Sequence, residues 1–366
     1  MKFLTLSIAI LFTQLTFAEL DPRVDQVALY SMRKDPVKRN WGWVDAVFLY
    51  GLSEYGKNHT DPKMQEKIYS YLKSYQGHWL KKGLPDINRS DACPSALTVL
   101  ALAEDWGDSS YIANLDPVIN YLKNEPRNSA GTINHLGHSN LRFFYPSSIW
   151  VDSLMMIGVL SSKIGSFQGD QEFLEFAAKQ PSIFSDRLQD SKDHLFRHAW
   201  FEKSNRVVPE AAAYWLRGNG WALVSILQIL EGMPKDHPLY QKNLSIFKSL
   251  ADALIQSQRK NGFWGTLINI PEAYDETSGT ALVGYGLAKG YRLGLLDKNA
   301  IESAKKSYEA LLTKIKKTKK GYSLRGISSE TNPTPMFFYL IIPKIPDKGY
   351  GVGAFLMLSS EMELNK

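Results

Sequence analysis

The sequence contains only one cysteine, Cys93, among its 366 residues. An intramolecular disulfide needs two cysteines, so packing alone must hold the fold together. The chain is suited to this, because 44% of its residues are hydrophobic and 12% are aromatic. Such a composition is ample for the core of a large globular protein.

Motifs for metals and nucleotides are also lacking. The seven histidines form no His-Glu-x-x-His unit and no close group with the cysteine. The segment Gly218-Asn219-Gly220 lacks the preceding strand and the spacing of a nucleotide-binding loop. Beyond the first residues, no segment is apolar for long enough to cross a bilayer. The sequence therefore predicts neither a metal site nor a nucleotide site.

The first residues have the pattern of a secretory leader. A cation at Lys2 precedes an apolar run from Phe3 to Phe12, and small residues surround a cleavage position after Ala18. An uncleaved anchor is the alternative, but the apolar run is shorter than the roughly 20 residues that a span requires. We therefore expect a signal peptide over 1–18, a single domain over 19–366 and an exported protein, periplasmic or extracellular.

The formal net charge is +6 at pH 7. Much of the basic excess lies in the stretch 314–320, which we interpret as a solvated helix end rather than a nucleic-acid-binding tract. Export also argues against a nucleic-acid partner. A mildly basic surface suits an anionic substrate.

Six segments share one form, a small, polar or aromatic lead-in followed by a dense apolar run. They begin near Asn40, Arg89, Ser147, Leu216, Asp275 and Lys348. Between them lie segments with a narrow apolar stripe and a charged face, which is typical of outer helices. This alternation predicts about twelve helices in an all-α fold, a single-domain (α/α)6 barrel. An open superhelix of helical pairs is the alternative, and short strands are expected around 132–135 and 195–200.

In such a barrel the inner helices begin at one end, where free N–H groups and helix dipoles favour anions. The chemically informative residues at these starts are Trp43, Asp45, Asp91, Trp150, Asp152, Trp215, Arg217, Asn219, Trp221, Glu276 and Ser278. Carboxylates can transfer protons, tryptophans can stack on sugar faces, and arginine can hold a carboxylate.

Each aspartate could instead cap a helix. We interpret Asp45 as a capping or core hydrogen-bonding residue. Asp152 follows a tryptophan and precedes an aliphatic run that could raise its pKa, as a general acid requires. His135 and His198 lie on connecting segments, and for both the structural and the functional reading stay open.

Three runs resemble a known family: 149–156 (IWVDSLMM), 215–221 (WLRGNGW) and 276–281 (ETSGTA). They are similar to the unsaturated rhamnogalacturonyl hydrolases of glycoside hydrolase family 105, which are related to the unsaturated glucuronyl hydrolases of family 88. The resemblance covers nearly the whole chain after the leader. It implies an (α/α)6 barrel, in agreement with the helix count.

The resemblance also implies roles for particular residues. Asp152 matches the catalytic aspartate and Asp91 a second active-site aspartate, while His198, Trp215 and Arg217 match positions that contact substrate. Trp150 is expected to pack against the sugar ring beside Trp215. His135 matches less closely, because its distance from Asp152 is longer than in the family pattern and His138 could compete. Ser95 stands where the family often has glycine, which bears on the local geometry of Asp91.

The implied reaction is removal of a 4,5-unsaturated uronic acid from the non-reducing end of lyase-generated oligosaccharides of the pectin type. In this hydration of the enol ether, Asp152 would act first as general acid and then as general base. No metal or organic cofactor would be needed. The expected partner is an anionic unsaturated oligosaccharide, bound by a monomer that has no membrane attachment after leader removal.

Several alternatives stay open. One is a glucuronyl hydrolase acting on glycosaminoglycan-like or other polyanionic fragments. Asp91 and Asp152 together also suit an inverting glycosidase, and the same barrel could carry a polysaccharide lyase or a non-enzymatic sugar-binding protein. The sequence leaves open which sugar follows the unsaturated residue.

Overall fold

The structure is a computed structural model that describes residues 21–365. The predicted signal peptide and its cleavage position lie outside the described residues. Within them, outer and inner helices alternate along the chain. They are α1 (Arg23–Ser31), α2 (Trp43–Lys57), α3 (Pro62–Lys82), α4 (Ala96–Asp105), α5 (Asp116–Asn124), α6 (Leu160–Gln168), α7 (Gln171–Leu188), α8 (Leu216–Glu231), α9 (Tyr240–Gln256), α10 (Thr277–Arg292), α11 (Lys298–Leu312), the short α12 (Met336–Leu340) and α13 (Gly349–Leu364).

Burial separates the two sets of helices as their apolar patterns predict. Every residue of α8 from Leu216 to Leu230 is buried. In α3, by contrast, the buried side chains include Met64, Ile68 and Tyr71, which recur at helical spacing on one face. Helices that are apolar on all sides therefore form the inner layer, and striped helices surround them.

The inner helices close into a ring. Contacts run from α2 to α4 and α6, then from the π-helical segment Leu154–Val159 ahead of α6 to α8, α10 and α13, and α13 packs back on α2. At this closure the backbones meet at glycines, because a Cβ at Gly51 would lie 2.2 Å from the Gly353 carbonyl oxygen. The (α/α)6 barrel is confirmed, and the alternative of an open superhelix is wrong.

Short strands occur in the segments that connect the helices. They are β1 (Ser148–Trp150), β2 (Ala199–Phe201), β3 (Arg206–Val208), β4 (Ile315–Thr318), β5 (Gly321–Leu324), β6 (Ile327–Ser328) and β7 (Lys344–Ile345). The antiparallel sheet β1-β2-β3 pairs Ile149 with Trp200. The strand expected near 195–200 is thus confirmed by β2, whereas the segment near 132–135 makes only an isolated bridge between Arg127 and Ile133.

The basic stretch 314–320 is not a helix end, so that prediction is wrong. It forms most of the hairpin β4–β5, with Ile315 opposite Leu324. Both of these side chains are buried, while Lys316 and Lys317 are exposed. The hairpin turns at Gly321, whose φ of 141° favours glycine. Burial of the apolar pair across the strands outweighs the surrounding charge.

No helix among residues 21–365 combines the length and the apolar character needed to span a bilayer.

Candidate active site

Asp152 lies at the mouth of the barrel, in the turn between β1 and the third inner helix. That helix begins with a π-helical segment, Leu154–Val159, before continuing as α6. The carbonyl of Asp152 accepts hydrogen bonds from the N–H groups of Met155 and Met156, at 3.0 and 3.1 Å. The residue therefore starts the helix through its backbone, and its carboxylate is left available.

The small sheet brings His198 to Asp152. β1 pairs with β2, and the N–H of Val151 donates to the His198 carbonyl at 2.8 Å. As a result, His198 Nε2 lies 3.3 Å from Asp152 Oδ2. This is longer than a strong charge-assisted hydrogen bond. Within the described residues, neither Oδ2 nor Nε2 has a hydrogen-bond partner.

Tyr339 lies beside the other ring nitrogen of His198 and bears on its tautomer. Its hydroxyl lies 2.7 Å from His198 Nδ1. Burial raises the pKa of Tyr339, so this hydroxyl stays protonated and can donate. Burial also lowers the pKa of His198, which keeps the imidazole neutral. A neutral ring that accepts at Nδ1 carries its proton on Nε2, the ring nitrogen nearer to Asp152.

A second aspartate–histidine pair faces the first. Asp91 lies in a 3₁₀ turn, Ser90–Ala92, and its Oδ1 is 3.6 Å from His135 Nε2. His135 Nδ1 is 2.8 Å from Ser153 Oγ, and the ring stacks on Trp150 with centroids 4.1 Å apart. The histidine question left open by the sequence is thereby answered, since His138 pairs instead with Glu125 at 2.6 Å.

The environments of the two aspartates move their pKa values in opposite directions. Burial raises the pKa of Asp91, His135 opposes this, and the negative charge of Asp152 raises it further. Burial also acts to raise the pKa of Asp152, but His198, His135 and Arg217 outweigh it, so the pKa falls below its ordinary value. The expectation that the aliphatic run raises the pKa of Asp152 is wrong for the unliganded site.

Arg217 lies beside this pair but is already held by the protein. Its Nη atoms donate to both oxygens of Ser328, to the Ser329 carbonyl at 2.9 Å and to Thr331 Oγ1 at 3.1 Å. Trp215 lies under the guanidinium, 4.6 Å from its ring centroid. These hydrogen bonds engage both Nη groups, and the positive charge of Arg217 helps to lower the pKa of Asp152.

The two carboxylates are the accessible groups of the cluster. The Asp91 side chain is 24% exposed and that of Asp152 is 13% exposed. Trp150, Trp215 and both histidines are buried. His135 covers one face of Trp150, and His198 packs against Trp215 with centroids 4.2 Å apart. These indoles therefore have little exposed area for the expected stacking on a sugar.

Other residues singled out at the inner-helix starts have structural roles. Asp45 binds Arg39 at 2.6 Å and the Asn40 N–H at 2.9 Å, as expected for core hydrogen bonding. Glu276 caps α10 and also accepts the Ser328 N–H at 2.9 Å. Asn219 accepts from the Phe196 N–H at 2.7 Å.

Sequence reasoning missed Tyr339, Ser328 and Ser153. Tyr339 and Ser328 lie in the segment between β5 and α13, more than a hundred residues from the groups that they contact. No local motif marks them. Ser153 follows Asp152 directly, and its position at a helix start was the available signal.

Among residues 21–365, no group of three or more His, Cys, Asp or Glu side chains is arranged to hold a metal ion.

Comparison with known sequences gives consistent matches. The profile described as Glycosyl Hydrolase Family 88 matches residues 22–366. The unsaturated rhamnogalacturonyl hydrolase YesR of Bacillus subtilis is 27% identical over 254 residues, which is 69% of this chain and 72% of that protein. An unsaturated 3S-rhamnoglycuronyl hydrolase of an Alteromonas species is 25% identical over 336 residues, which is 87% of this chain and 77% of that protein.

Solved structures share the architecture. A possible member of family GH105 from Salmonella enterica superposes with a TM-score of 0.82 at 21% identity, covering 94% of this chain and 95% of that one. A family 105 glycoside hydrolase from C. acetobutylicum gives a TM-score of 0.80 at 23% identity, covering 93% and 99%. At these identities the likeness shows the fold, an (α/α)6 barrel, and nothing about substrate.

Proposed function

Since the chain belongs to glycosyl hydrolase family 88 and is a glycoside hydrolase, we propose that it removes a 4,5-unsaturated uronic acid from the non-reducing end of lyase-generated oligosaccharides. One observation carries the proposal. Two partly accessible aspartates lie at the barrel mouth, and their pKa values are displaced in opposite directions. Such a split separates a group that holds a proton from a group that accepts one.

Asp152 acts as general acid and then as general base. In the free site it is ionised, but a bound uronate adds negative charge and displaces water, and both effects raise its pKa. Asp91, whose pKa is already raised, is the group from which the proton can come. Asp152 then delivers that proton to C4 of the double bond.

Protonation at C4 places positive charge on C5 and the ring oxygen. Water adds at C5, and the Asp152 carboxylate accepts the proton that this water loses. The product is a hemiketal, which opens to a C5 ketone and leaves a hemiacetal at C1 that releases the following sugar. One carboxylate serves both proton transfers, so no acid–nucleophile pair at a retaining spacing is needed.

The buried groups behind the aspartates position and tune them. We assign the Nε2–H tautomer to neutral His198, with Nε2 3.3 Å from Asp152 Oδ2 and the Tyr339 hydroxyl donating to Nδ1. Arg217 supplies a fixed positive charge next to Asp152. Because its Nη groups are bound by Ser328 and Ser329, this charge is held in place before the reaction begins.

For the leaving group we propose rhamnose. The support comes from two relatives, whose names describe rhamnogalacturonyl and 3S-rhamnoglycuronyl hydrolases. We further propose export with loss of residues 1–18, supported by the leader pattern alone, and action as a monomer.

A second candidate is an inverting glycosidase that acts on intact uronides. The opposite pKa displacements of Asp91 and Asp152 also suit a general acid and a general base on either side of a saturated sugar. The two candidates differ in substrate, because only the first consumes a double bond.

Loss of the ultraviolet absorbance of the conjugated uronate tests the proposal. Unsaturated disaccharides linked to rhamnose and to hexosamine are compared with their saturated counterparts. We expect decay with wild type and a loss of about 10²- to 10⁴-fold in kcat for Asp152→Asn. Asp236→Asn, an exposed aspartate away from the site, is the matched control. Cleavage of the saturated substrates alone would favour the inverting reaction.

A further inference from the structure

A cavity of about 860 Å³ lies between the start of α2, the start of α13 and Arg89, two residues before Asp91. Its walls come from the end of α1 and the following turn, the starts of α2 and α13, and the tip of the β4–β5 hairpin. Trp43 lines this cavity, and Tyr350 stacks on its indole with ring centroids 4.7 Å apart. The volume lies in the range of small-molecule sites, and the indole offers a fixed aromatic surface.

The cavity wall borders the segments that carry the catalytic groups. A Cβ at Gly42, in the cavity wall, would lie 3.9 Å from the Asp91 carbonyl oxygen. Arg89 also lines the cavity, and its charge is close enough to oppose the rise in the pKa of Asp91. On another side, Glu330 lies within the electrostatic reach of Arg217. A substrate whose unsaturated end lies at Asp91 can therefore place its following sugars here.

Positive charge predominates around the cavity, with six Lys or Arg side chains and three carboxylates in its lining. The carboxylates are already engaged. Asp45 is bound by Arg39 at 2.6 Å and by Lys34 at 3.1 Å, and Glu330 is bound by Lys348 at 2.8 Å. The third carboxylate, Asp347, accepts hydrogen bonds from a hydroxyl and a backbone N–H of β5.

Three of the cations have no such partner. Among the described residues, the side chains of Arg89 and Lys320 make no hydrogen bond or ion pair, and Arg33 donates only to the carbonyl of Lys320. None of these three pairs with a carboxylate. Unpaired cations that face one cavity raise the local concentration of anions and form charge-assisted hydrogen bonds to them.

We propose that this cavity binds the reducing-side portion of the oligosaccharide, and that Arg33, Arg89 and Lys320 hold an anionic substituent on it. A sulfate ester and a carboxylate share the required chemistry, because both present several oxygen acceptors to a guanidinium or an ammonium group. The indole of Trp43 supports the adjacent sugar ring. This inference rests on the proposed function, since it needs the unsaturated uronate at Asp91 and Asp152.

The test compares a double variant with a matched control. Arg33→Gln with Lys320→Gln removes two of the unpaired charges. Lys38→Gln with Lys319→Gln removes two exposed charges from the same two segments, but neither residue lines the cavity. Arg89 is left intact because its charge acts on Asp91.

Three substrates identify the position and source of the anion. They are the unsaturated uronate–rhamnose disaccharide, the same disaccharide with a sulfate ester on rhamnose, and an unsaturated tetrasaccharide with a uronate as its third sugar. We expect wild type to show a lower KM for at least one anionic substrate than for the neutral disaccharide. A sulfate preference places the anion on the first leaving sugar, and a tetrasaccharide preference places it on the second.

The double variant should raise KM for the preferred anionic substrate about 5- to 30-fold, as expected for two partly exposed charge contacts. Its kcat should be unchanged, because these contacts are equal in ground state and transition state. The control should match wild type. Equal KM values for neutral and anionic substrates in wild type, or the same KM increase for all three in the double variant, would overturn the inference.

Calorimetric titration separates this inference from the proposed function. Asp152→Asn, which is expected to bind without turnover, is titrated with the sulfated disaccharide and the tetrasaccharide, with and without the two charge substitutions. Tighter binding with the charges present supports the cavity assignment even if wild type shows no turnover, in which case only the proposed reaction fails. Binding that is the same with and without the charges contradicts the cavity assignment, whatever the turnover.

Discussion

Replacing Tyr339 by phenylalanine tests whether its hydroxyl sets the tautomer of His198. The hydroxyl lies 2.7 Å from Nδ1, and as the donor there it requires the proton on Nε2, which is 3.3 Å from Asp152 Oδ2. Tyr339→Phe keeps the ring and its packing but leaves Nδ1 as a buried acceptor without a donor. The free-energy preference of His198 for the Nε2–H tautomer is then reduced.

The magnitude follows from one hydrogen bond. A net contribution of about 0.5–1.5 kcal/mol corresponds to a loss of about 2- to 10-fold in kcat/KM. The sign of the pH effect also follows. The lost bond favoured the neutral imidazole, so its removal raises the pKa of His198 and moves the acidic limb of the kcat/KM profile to higher pH.

The assay is the initial rate of absorbance loss on an unsaturated disaccharide, measured across pH. Tyr285→Phe is the control. Tyr285 is also buried, but it lies on α10 rather than on α12, and its hydroxyl is 3.4 Å from Lys289 Nζ. It should alter stability and leave the pH profile unchanged. An unchanged kcat/KM together with an unchanged acidic limb in Tyr339→Phe would refute the tautomer assignment.

Three further predictions concern the free energy of unfolding, measured by denaturant unfolding. Burial raises the pKa of Asp91, so ionisation of its carboxyl group destabilises the fold as pH rises. Asp91→Asn removes this ionisation, so the variant should gain stability over wild type at pH 7 compared with pH 4, by about 1.4 kcal/mol per unit of pKa shift. Gly51→Ala should destabilise by about 1–3 kcal/mol or more, because its Cβ would meet the Gly353 carbonyl where the ring closes. Arg39→Met should lower stability by about 3–5 kcal/mol, since it leaves buried Asp45 with only the exposed Lys34 and the Asn40 N–H as partners, and a loss below 1 kcal/mol would contradict this.

The barrel was predictable because its signals are local. An inner helix such as α8 needs apolar side chains on every face, and an outer helix such as α3 needs them only at helical spacing, so the alternation is written in each segment. The strands were harder to predict. β1 exists because Ile149 pairs with Trp200, and the hairpin β4–β5 because Ile315 meets Leu324. Neither short strand carries a period long enough to be distinguished from a helix end.

The site was predictable in its members and less so in their arrangement. Asp152 and Asp91 could be placed at the barrel mouth from the inner-helix starts and from resemblance. The direction of the Asp152 pKa depends on His198 and Arg217, which folding brings to it from other segments. Likewise, the hydrogen bonds from Arg217 to Ser328 depend on a segment more than a hundred residues away along the chain, and no local pattern contains that information.

The most direct measurement is a single-turnover experiment with enzyme in excess over an unsaturated uronate–rhamnose disaccharide. Double-bond absorbance and free rhamnose are followed on the same time base, with Asp152→Asn beside wild type. Enol-ether hydration predicts that the double bond disappears before rhamnose appears or together with it, and that the variant shows neither event. Release of rhamnose while the absorbance persists would contradict hydration and indicate direct displacement at the anomeric carbon.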